Sequence, residues 1–195
     1  MNKRASVGAV LGATLLATAA AVHPAAAAGN LIANGTFSKP TAPAGGYVEF
    51  DAGEDIGGAW LVSGPNKKSG VTLYSTGLTR YTYQAVDIGA GAISQDFDVD
   101  RGAVVDVTWR HARNTDPACA TAMGEQDYGV QVFSTGSVPV DASFTPNGTR
   151  FTPVGNQRFI ANDEHYTLEF TGRSPGGCGP EITEVVAKVI GYVGH

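Results

Sequence analysis

Signatures of catalysis and of metal binding are missing from this 195-residue sequence. It has no Gly-x-Ser-x-Gly elbow, no His-Glu-x-x-His and no glycine-rich phosphate loop before a helix. Histidine is scarce, and His111 and His165 lie in or beside predicted strands, where structural or surface roles are commoner than catalysis. Residues 96–100 alternate aspartates, but Arg101 and Val107 stand where a calcium-binding EF-hand needs glycine and glutamate. We therefore expect neither an enzyme nor a cofactor.

Cysteine is also scarce, with only Cys119 and Cys178 in the chain. Two isolated cysteines lack the paired spacing of a zinc site. In an exported protein, where oxidation is the default, one bond between them is the simple outcome. By the chain-entropy model such a bond would stabilise the fold by roughly 4 kcal/mol.

The one long apolar run lies at the N-terminus. It follows the basic residues Lys3 and Arg4, is rich in alanine and ends in the small residues 25–28. This pattern is typical of a secretory signal peptide. A membrane anchor is the alternative, but the run is shorter than the roughly 20 residues that span a bilayer, and Pro24 interrupts its end. We expect residues 1–28 to be cleaved and the mature protein to be released outside the cell.

The remainder, residues 29–195, contains no proline- or serine-rich linker and no internal repeat. Its length fits one domain with a substantial core. Without Lys3 and Arg4, 11 of the 13 basic residues remain against 18 acidic ones, a net charge of −7. This balance argues against nucleic acid and against an anionic membrane as partners.

Apolar residues alternate with polar ones in short runs from Leu31 onward, and no long stretch has a helical period. In the clearest run, Val105, Val107 and Trp109 point to one face, because strand side chains alternate. The other predicted strands are 93–99, 128–133, 166–170 and 185–190. About ten short strands in one domain predict an all-β fold of two antiparallel sheets packed face to face. Periodicity leaves the choice between jelly-roll and immunoglobulin-like strand order open.

Several segments resemble a known family. The sequence Asn30-Leu31-Ile32-Ala33-Asn34-Gly35-Thr36-Phe37 opens the mature chain, followed by residues 46–53 and 59–64. The similarity continues through Ala92-Ile93-Ser94-Gln95-Asp96-Phe97, the Trp109 strand and Cys178-Gly179-Pro180-Glu181-Ile182. Together they resemble the plant cell-wall domain-of-unknown-function family six-forty-two and its bacterial exported relatives.

The resemblance implies a galactose-binding-like jelly roll that acts as a non-catalytic module on cell-wall polysaccharide, with its two cysteines bonded. Related modules carry two acidic residues that hold a structural calcium ion. Here those positions correspond to Ser38 and Thr183, which predicts that the metal site is lost. Glu181 or Glu184 would be the residues able to compensate.

Sugar binding needs planar hydrogen-bonding side chains and an aromatic ring against which a pyranose can stack. If the strands of Trp109, Phe133 and Phe170 share one sheet and turn those rings inward, their polar residues form a floor on the other face. The floor would consist of Asp106, Thr108, Arg110, Gln131 and Glu169, and its rim of Tyr74, Tyr81 and Tyr83. The alternative is a solvated face without a ligand. Trp60 and Trp109 follow apolar patterns and are predicted to pack in the core.

These observations predict a secreted, non-catalytic carbohydrate-binding module whose partner is a polysaccharide or an oligosaccharide. The alternative is an extracellular protein-interaction domain that binds a wall enzyme or another exported protein through a sheet face or edge. On the first hypothesis, replacing Arg110 by alanine removes most of the affinity and leaves the fold intact.

Overall fold

The computed structural model describes residues 29–65, 70–120, 126–174 and 177–193. The predicted signal peptide, residues 1–28, lies outside the described residues. Within these ranges the chain forms twelve strands and two short helices. In the same ranges, no helix has the length and apolar character needed to cross a membrane.

The strands and helices follow one another with short connections. In chain order they are β1 (Tyr47–Phe50), β2 (Asp55–Ile56), β3 (Trp60–Ser63), β4 (Val71–Tyr74), α1 (Thr76–Thr79), β5 (Ala85–Asp87), β6 (Ala92–Asp98), β7 (Ala103–Arg113), α2 (Pro117–Ala120), β8 (Tyr128–Ser134), β9 (Ser137–Phe144), β10 (Thr152–Ile160), β11 (His165–Gly172) and β12 (Pro180–Tyr192).

Two antiparallel sheets of six strands pack face to face. The sheet with the order β1-β4-β5-β12-β7-β10 is called the front sheet, and the sheet with the order β2-β3-β6-β11-β8-β9 the back sheet. The predicted all-β, two-sheet antiparallel sandwich is confirmed. Its strand order is that of a jelly roll, since chain neighbours such as β5 and β6 lie in different sheets.

Strand alternation creates the core, as β7 illustrates. Val105, Val107 and Trp109 are buried against the back sheet, while Asp106 and Arg110 are partly exposed on the outer face. Valine and aromatic residues at every second position are the pattern expected for a half-buried strand.

Aromatic rings fill the space between the sheets. Trp60 and Trp109 are almost completely buried, which confirms their assignment to the core. The Trp109 ring packs edge-to-face on Phe170 with centroids 5.4 Å apart, and its Nε1 donates to the Tyr128 hydroxyl at 2.7 Å. Because large rings dominate core energetics and their polar atoms need partners, this cluster ties the two sheets together.

The predicted disulfide is present between Cys119 of α2 and Cys178, with Cα atoms 5.4 Å apart. Next to Cys178, the amide of Gly179 donates to the Asp87 carboxylate at 2.8 Å. The bond therefore fastens α2 to the segment that leads into β12, beside the end of β5 in the front sheet.

Candidate functional site

An ion pair stands near the middle of the outer face of the front sheet. Arg110 of β7 forms a short ion pair with the Glu184 carboxylate of β12. Its Nη1 also donates to the backbone carbonyl of Phe151 at 3.3 Å. The Arg110 side chain is 35% exposed and that of Glu184 is 28% exposed, so the pair is fixed in place yet within reach of solvent.

A β-bulge places the Glu184 side chain. The register of β12 against β7 shifts between Thr183 and Val186, and Glu184 has a φ of 52°. Positive φ is uncommon for residues other than glycine, and bulges re-aim side chains next to functional sites. Gly35 packs against this bulge, because a Cβ there would lie 2.0 Å from the Val185 carbonyl oxygen. The N-terminal segment thus buttresses the irregular part of β12.

Two aromatic rings adjoin the ion pair. The ring of Tyr81 packs on that of Phe151 with centroids 4.7 Å apart and an angle of 31° between planes. The Tyr81 hydroxyl donates to Glu184 at 3.0 Å, and the Arg110 guanidinium carbon lies 6.0 Å from the centre of the Tyr81 ring. Partial desolvation and the hydrogen bond to Glu184 raise the pKa of Tyr81. Tyr83, 38% exposed, meets the Tyr81 ring edge-on at 6.1 Å.

Two open clefts flank this cluster. The first, here called the arginine cleft, has a volume of about 620 Å³ and is lined by Thr79, Arg80, Tyr81, Thr115, Thr149, Arg150 and Phe151. The second, called the amide cleft, has a volume of about 580 Å³ and includes Asn30, Asn34, Ser38, Thr108, Arg110 and Glu184. The Tyr81–Glu184 and Arg110–Phe151 hydrogen bonds connect their linings, so we treat them together as the front groove.

The back sheet presents a different polar surface. Glu169 of β11 and Gln131 of β8 are cross-strand partners on its outer face, and Asp141 of β9 pairs with Gln131. The hydroxyl of Thr171 donates to Glu169 at 2.9 Å. Phe133 lies on this outer face and not in the core, because it has the parity of Gln131 while Val130 and Val132 are buried.

The prediction that these polar residues share one sheet face is therefore wrong. Strand β7, with Asp106 and Arg110, belongs to the front sheet, whereas β8 and β11, with Gln131 and Glu169, belong to the back sheet. Both outer faces are as alternation predicts, but they lie on opposite sides of the sandwich. Phe133 was also expected to point inward and does not.

Asp106 lies on the same outer face as Arg110 but further along β7. Four residues of strand separate the two, or about 13 Å. Asp106 pairs across the sheet with Lys188 and with Arg158, whose Nε is 3.6 Å from its carboxylate. We therefore place Asp106 in a cross-strand charge cluster outside the front groove.

Tyr74 does not form a rim. It ends β4 with 7% of its surface exposed, and its hydroxyl is 3.5 Å from the Asn114 side-chain nitrogen. Burial raises the pKa of Tyr74 to about 12, assisted by the nearby charge of Asp87. A ring enclosed in this way cannot offer its face to a sugar, so only Tyr81 and Tyr83 remain as rim residues.

Close to Tyr74 lies a buried pair of acidic residues. This pair was not predicted from the sequence. Asp87 and Glu181 are cross-strand partners, 2% and 6% exposed. Asp87 accepts hydrogen bonds from the amides of Gly89 and Gly179 and from the Asn114 side chain. Desolvation raises the pKa of Asp87 to about 7 and that of Glu181 to about 8. The available signal was an aspartate inside the apolar run 85–88.

Gln84 connects the segment after Asn34-Gly35 with β12, the two places where Ser38 and Thr183 stand in place of the expected calcium ligands. Gln84 donates from Nε2 to the carbonyls of Phe37 and Pro40, and its Oε1 accepts from the amide of Ala42 at 2.7 Å. The Thr183 hydroxyl donates to the Gln84 carbonyl at 2.7 Å. A calcium ion needs six to eight oxygen ligands, with carboxylates among them, whereas here an amide NH2 group points at two carbonyls and a hydroxyl at a third, so the residues present do not fit the ion.

Both proposed substitute ligands have other partners. Glu184 is paired with Arg110, and Glu181 is buried beside Asp87. Across the described ranges, no three histidine, cysteine, aspartate or glutamate residues come together as a metal cluster would. His111 bonds the Tyr128 hydroxyl at 2.8 Å, and His165 bonds Asp98 at 2.6 Å on the surface of the back sheet.

No family model matches this chain, and no curated protein matches it, so the resemblance to family six-forty-two stays a prediction. Solved structures do share the fold. A cyclase from Fischerella sp. TAU, in complex with 4-(1H-indol-3-yl)butan-2-one, aligns at 12% identity with a TM-score of 0.61, covering 85% of this chain and 99% of that one.

Carbohydrate-binding modules align less closely. A family 35 module from Clostridium thermocellum has 14% identity and a TM-score of 0.46 over 72% of this chain and 96% of its own. The module TmCBM61, in complex with β-1,4-galactotriose, has 16% identity and a TM-score of 0.47 over 82% and 98%. The strand order makes the chain a jelly-roll β-sandwich, and because a shared fold does not confer a function, the function must be argued from the site.

Proposed function

We propose that this protein is a secreted, non-catalytic module that binds saccharide in the front groove. The observation that carries the proposal is the Tyr81–Phe151 ring pair beside the Arg110–Glu184 ion pair, over an open cleft. A pyranose has an apolar face and a rim of hydroxyls. A hydroxyl both donates and accepts, so one sugar edge can bond the guanidinium and the carboxylate together.

A binding role is favoured over hydrolysis by the charges in the groove. Glycoside hydrolysis uses two carboxylates that flank the scissile bond. Among the described residues that line the two clefts, Glu184 is the single carboxylate, and Arg110 neutralises it. The surface therefore offers recognition without the acid and base of a glycosidase.

Export is supported by the Cys119–Cys178 bond, since disulfides persist in oxidising compartments. It is also supported by the N-terminal pattern of a basic start, an apolar run and small residues. Expression in a secreting host followed by mass determination of the product tests it. We expect the mature chain to begin at residue 28 or 29, and an intact N-terminus in the medium would contradict cleavage.

The test of saccharide binding is sedimentation with insoluble polysaccharides, followed by a glycan array. A saccharide-binding module is expected to enter the pellet, whereas a domain for protein partners stays in the supernatant. Tyr81→Ala and Arg110→Ala should weaken the interaction. Gln131→Ala and Glu169→Gln, on the outer face of the back sheet, are the matched controls. If only the back-sheet variants lose binding, the proposed site is wrong.

A further inference from the structure

Two arginines in the arginine cleft have no acidic partner among the residues that the structure describes. Arg80 follows α1, Arg150 lies in the β9–β10 connection, and both side chains are exposed. In the part of the chain that the structure describes, neither takes part in an ion pair or a hydrogen bond, whereas Arg101, Arg110 and Arg158 are all paired. Two uncompensated guanidinium groups therefore line the same cleft.

The surroundings of these arginines make the local charge positive. The described lining of the cleft contains no aspartate or glutamate, and its other members are threonines and the rings of Tyr81 and Phe151. The whole chain carries a formal charge of −5, so the positive charge of this cleft is opposite in sign to the net charge of the protein. The general argument against anionic partners thus does not extend to this cleft.

The backbone holds one of these arginines in an unusual conformation. Arg80 has a φ of 53°, in the left-handed region that side chains other than glycine seldom adopt. The hydroxyl of Thr79 fixes the segment, accepting from the Tyr81 amide at 3.3 Å and donating to the Tyr83 carbonyl at 3.2 Å. Arg80 is the C-cap that ends α1, a position at which many helices have a left-handed residue, although it is usually glycine. Arg80 and Tyr81 consequently lie on one turn, which the hydrogen bonds of Thr79 hold in place.

We propose that the arginine cleft binds an anionic sugar residue, with the carboxylate or sulfate of the sugar held by Arg80 and Arg150. The sugar ring lies against Tyr81 and Phe151, and threonine hydroxyls bond its remaining hydroxyl groups. Guanidinium suits this task because its planar fork matches two oxygens of an oxyanion. The inference rests on the proposed saccharide binding and adds the chemical class of the ligand.

The test compares three trisaccharides by calorimetric titration: a trimer of galacturonic acid, the same trimer with its carboxyls methyl-esterified, and a sulfated galactose trimer. Wild-type protein should bind an anionic form at least about tenfold more tightly than the ester, since hydrogen bonds to charged groups are strong. The Arg80→Gln/Arg150→Gln double variant should lose that preference and keep its affinity for the ester. Arg173→Gln, an exposed arginine change outside the cleft, is the matched control.

The outcomes separate the two claims. Preference for the carboxylate or for the sulfate, lost in the double variant, supports the inference and identifies the anion. Equal binding of acid and ester overturns the inference but leaves saccharide binding intact. A preference that survives in the double variant, with folding verified by circular dichroism, overturns the assignment to this cleft. Failure of all three trimers and of a glycan array to bind overturns the proposed function as well.

Discussion

The two outer faces of the sandwich differ in regularity. On the back sheet, β3, β6, β11 and β8 pair without a register shift, and a shift occurs at the edge of the sheet, between β8 and β9 and next to the turn that joins them. On the front sheet, β12 and β10 both shift register against β7. None of the back-sheet strands contains a described non-glycine residue with positive φ, whereas Arg80, Glu184 and Asn156 belong to the front sheet or its connections.

This difference favours the front groove as the site of the proposed ligand. A regular ladder with solvated polar residues is the default outer face of an antiparallel sheet. Bulges and left-handed side chains each cost stability, of order 1–3 kcal/mol for a strained residue, and persist only where the rest of the fold enforces them. Here they orient Glu184 and Arg80 into the front groove. The charged residues of the back sheet, by contrast, need no such distortion to reach water.

Loss of the disulfide should have the largest effect, and it acts on the front face. Cys119→Ser/Cys178→Ser is expected to destabilise the fold by roughly 4 kcal/mol, because an unlinked denatured chain gains entropy. Denaturant unfolding measures the loss, and reduction of the wild type should reproduce it. Free thiols detected in the unfolded, non-reduced protein would contradict the bond.

The pH dependence should also come from the front sheet. The folded pKa values of Asp87 and Glu181, about 7 and about 8, lie above the ordinary values of 3.8 and 4.5. Their contribution to stability is therefore fully present below about pH 4 and is lost as the pH rises through 7 and 8. Each unit by which the folded pKa exceeds the ordinary value corresponds to about 1.4 kcal/mol in the free energy of unfolding. Thermal melts between pH 4 and pH 9 should show the decline.

Glu181→Gln tests the origin of that decline. The amide cannot ionise, so the variant should have a flatter profile and gain stability relative to wild type above pH 8. Glu169→Gln, a carboxylate of the back face, is the control and should follow the wild-type profile. If both variants decline like the wild type, the buried pair is not the cause.

Much of the fold was predictable from periodicity, since each strand named from the sequence lies within or overlaps an observed strand. Alternation also predicted the outward direction of Arg110 and Glu169, whereas in β8 an inward Phe133 was expected together with an outward Gln131, although these two residues share a face. What the sequence did not reveal is which strands share a sheet. A period of two defines faces within a strand, but β7 lies between β12 and β10, both of which are far along the chain, and no local pattern encodes that pairing.

The candidate site was predictable only in part. Tyr81 and Arg110 were named as candidate ligand-binding residues, which stays a prediction, whereas Glu184 was named only as a substitute calcium ligand. Its role depends on a bulge, which has no signature in the sequence 183–186. Phe151 was overlooked because it lies outside any alternating run, and its contact with Tyr81 arises from the packing of two connections.

Single substitutions in the front groove should have a smaller effect than loss of the disulfide. They should change the free energy of binding and leave the free energy of unfolding unchanged. Arg110→Ala or Tyr81→Ala is expected to weaken saccharide affinity by about tenfold or more, consistent with 1.5–3 kcal/mol for a hydrogen bond to a charged group. Phe133→Ala and Glu169→Gln on the back face should leave affinity unchanged. Titration of the glycan that scores highest on an array measures all four. If the back-face variants lose affinity and the front-groove variants keep it, the ligand binds the back sheet, and the proposed difference between the two faces is wrong.

The smallest expected effect is that of calcium on stability, which should be absent. The N-terminal segment is joined to the front sheet by the Gln84 amide and the Thr183 hydroxyl, which occupy the carbonyls that an ion would need. A ligand that binds only the folded state raises stability by RT ln(1 + [L]/Kd), about 2.7 kcal/mol at a hundredfold excess over Kd. A site with a Kd of about 10 μM would thus shift the melting curve clearly in about 1 mM calcium. Curves recorded with calcium and with chelator should coincide, and a reproducible upward shift would show that oxygen ligands still assemble beside Gln84.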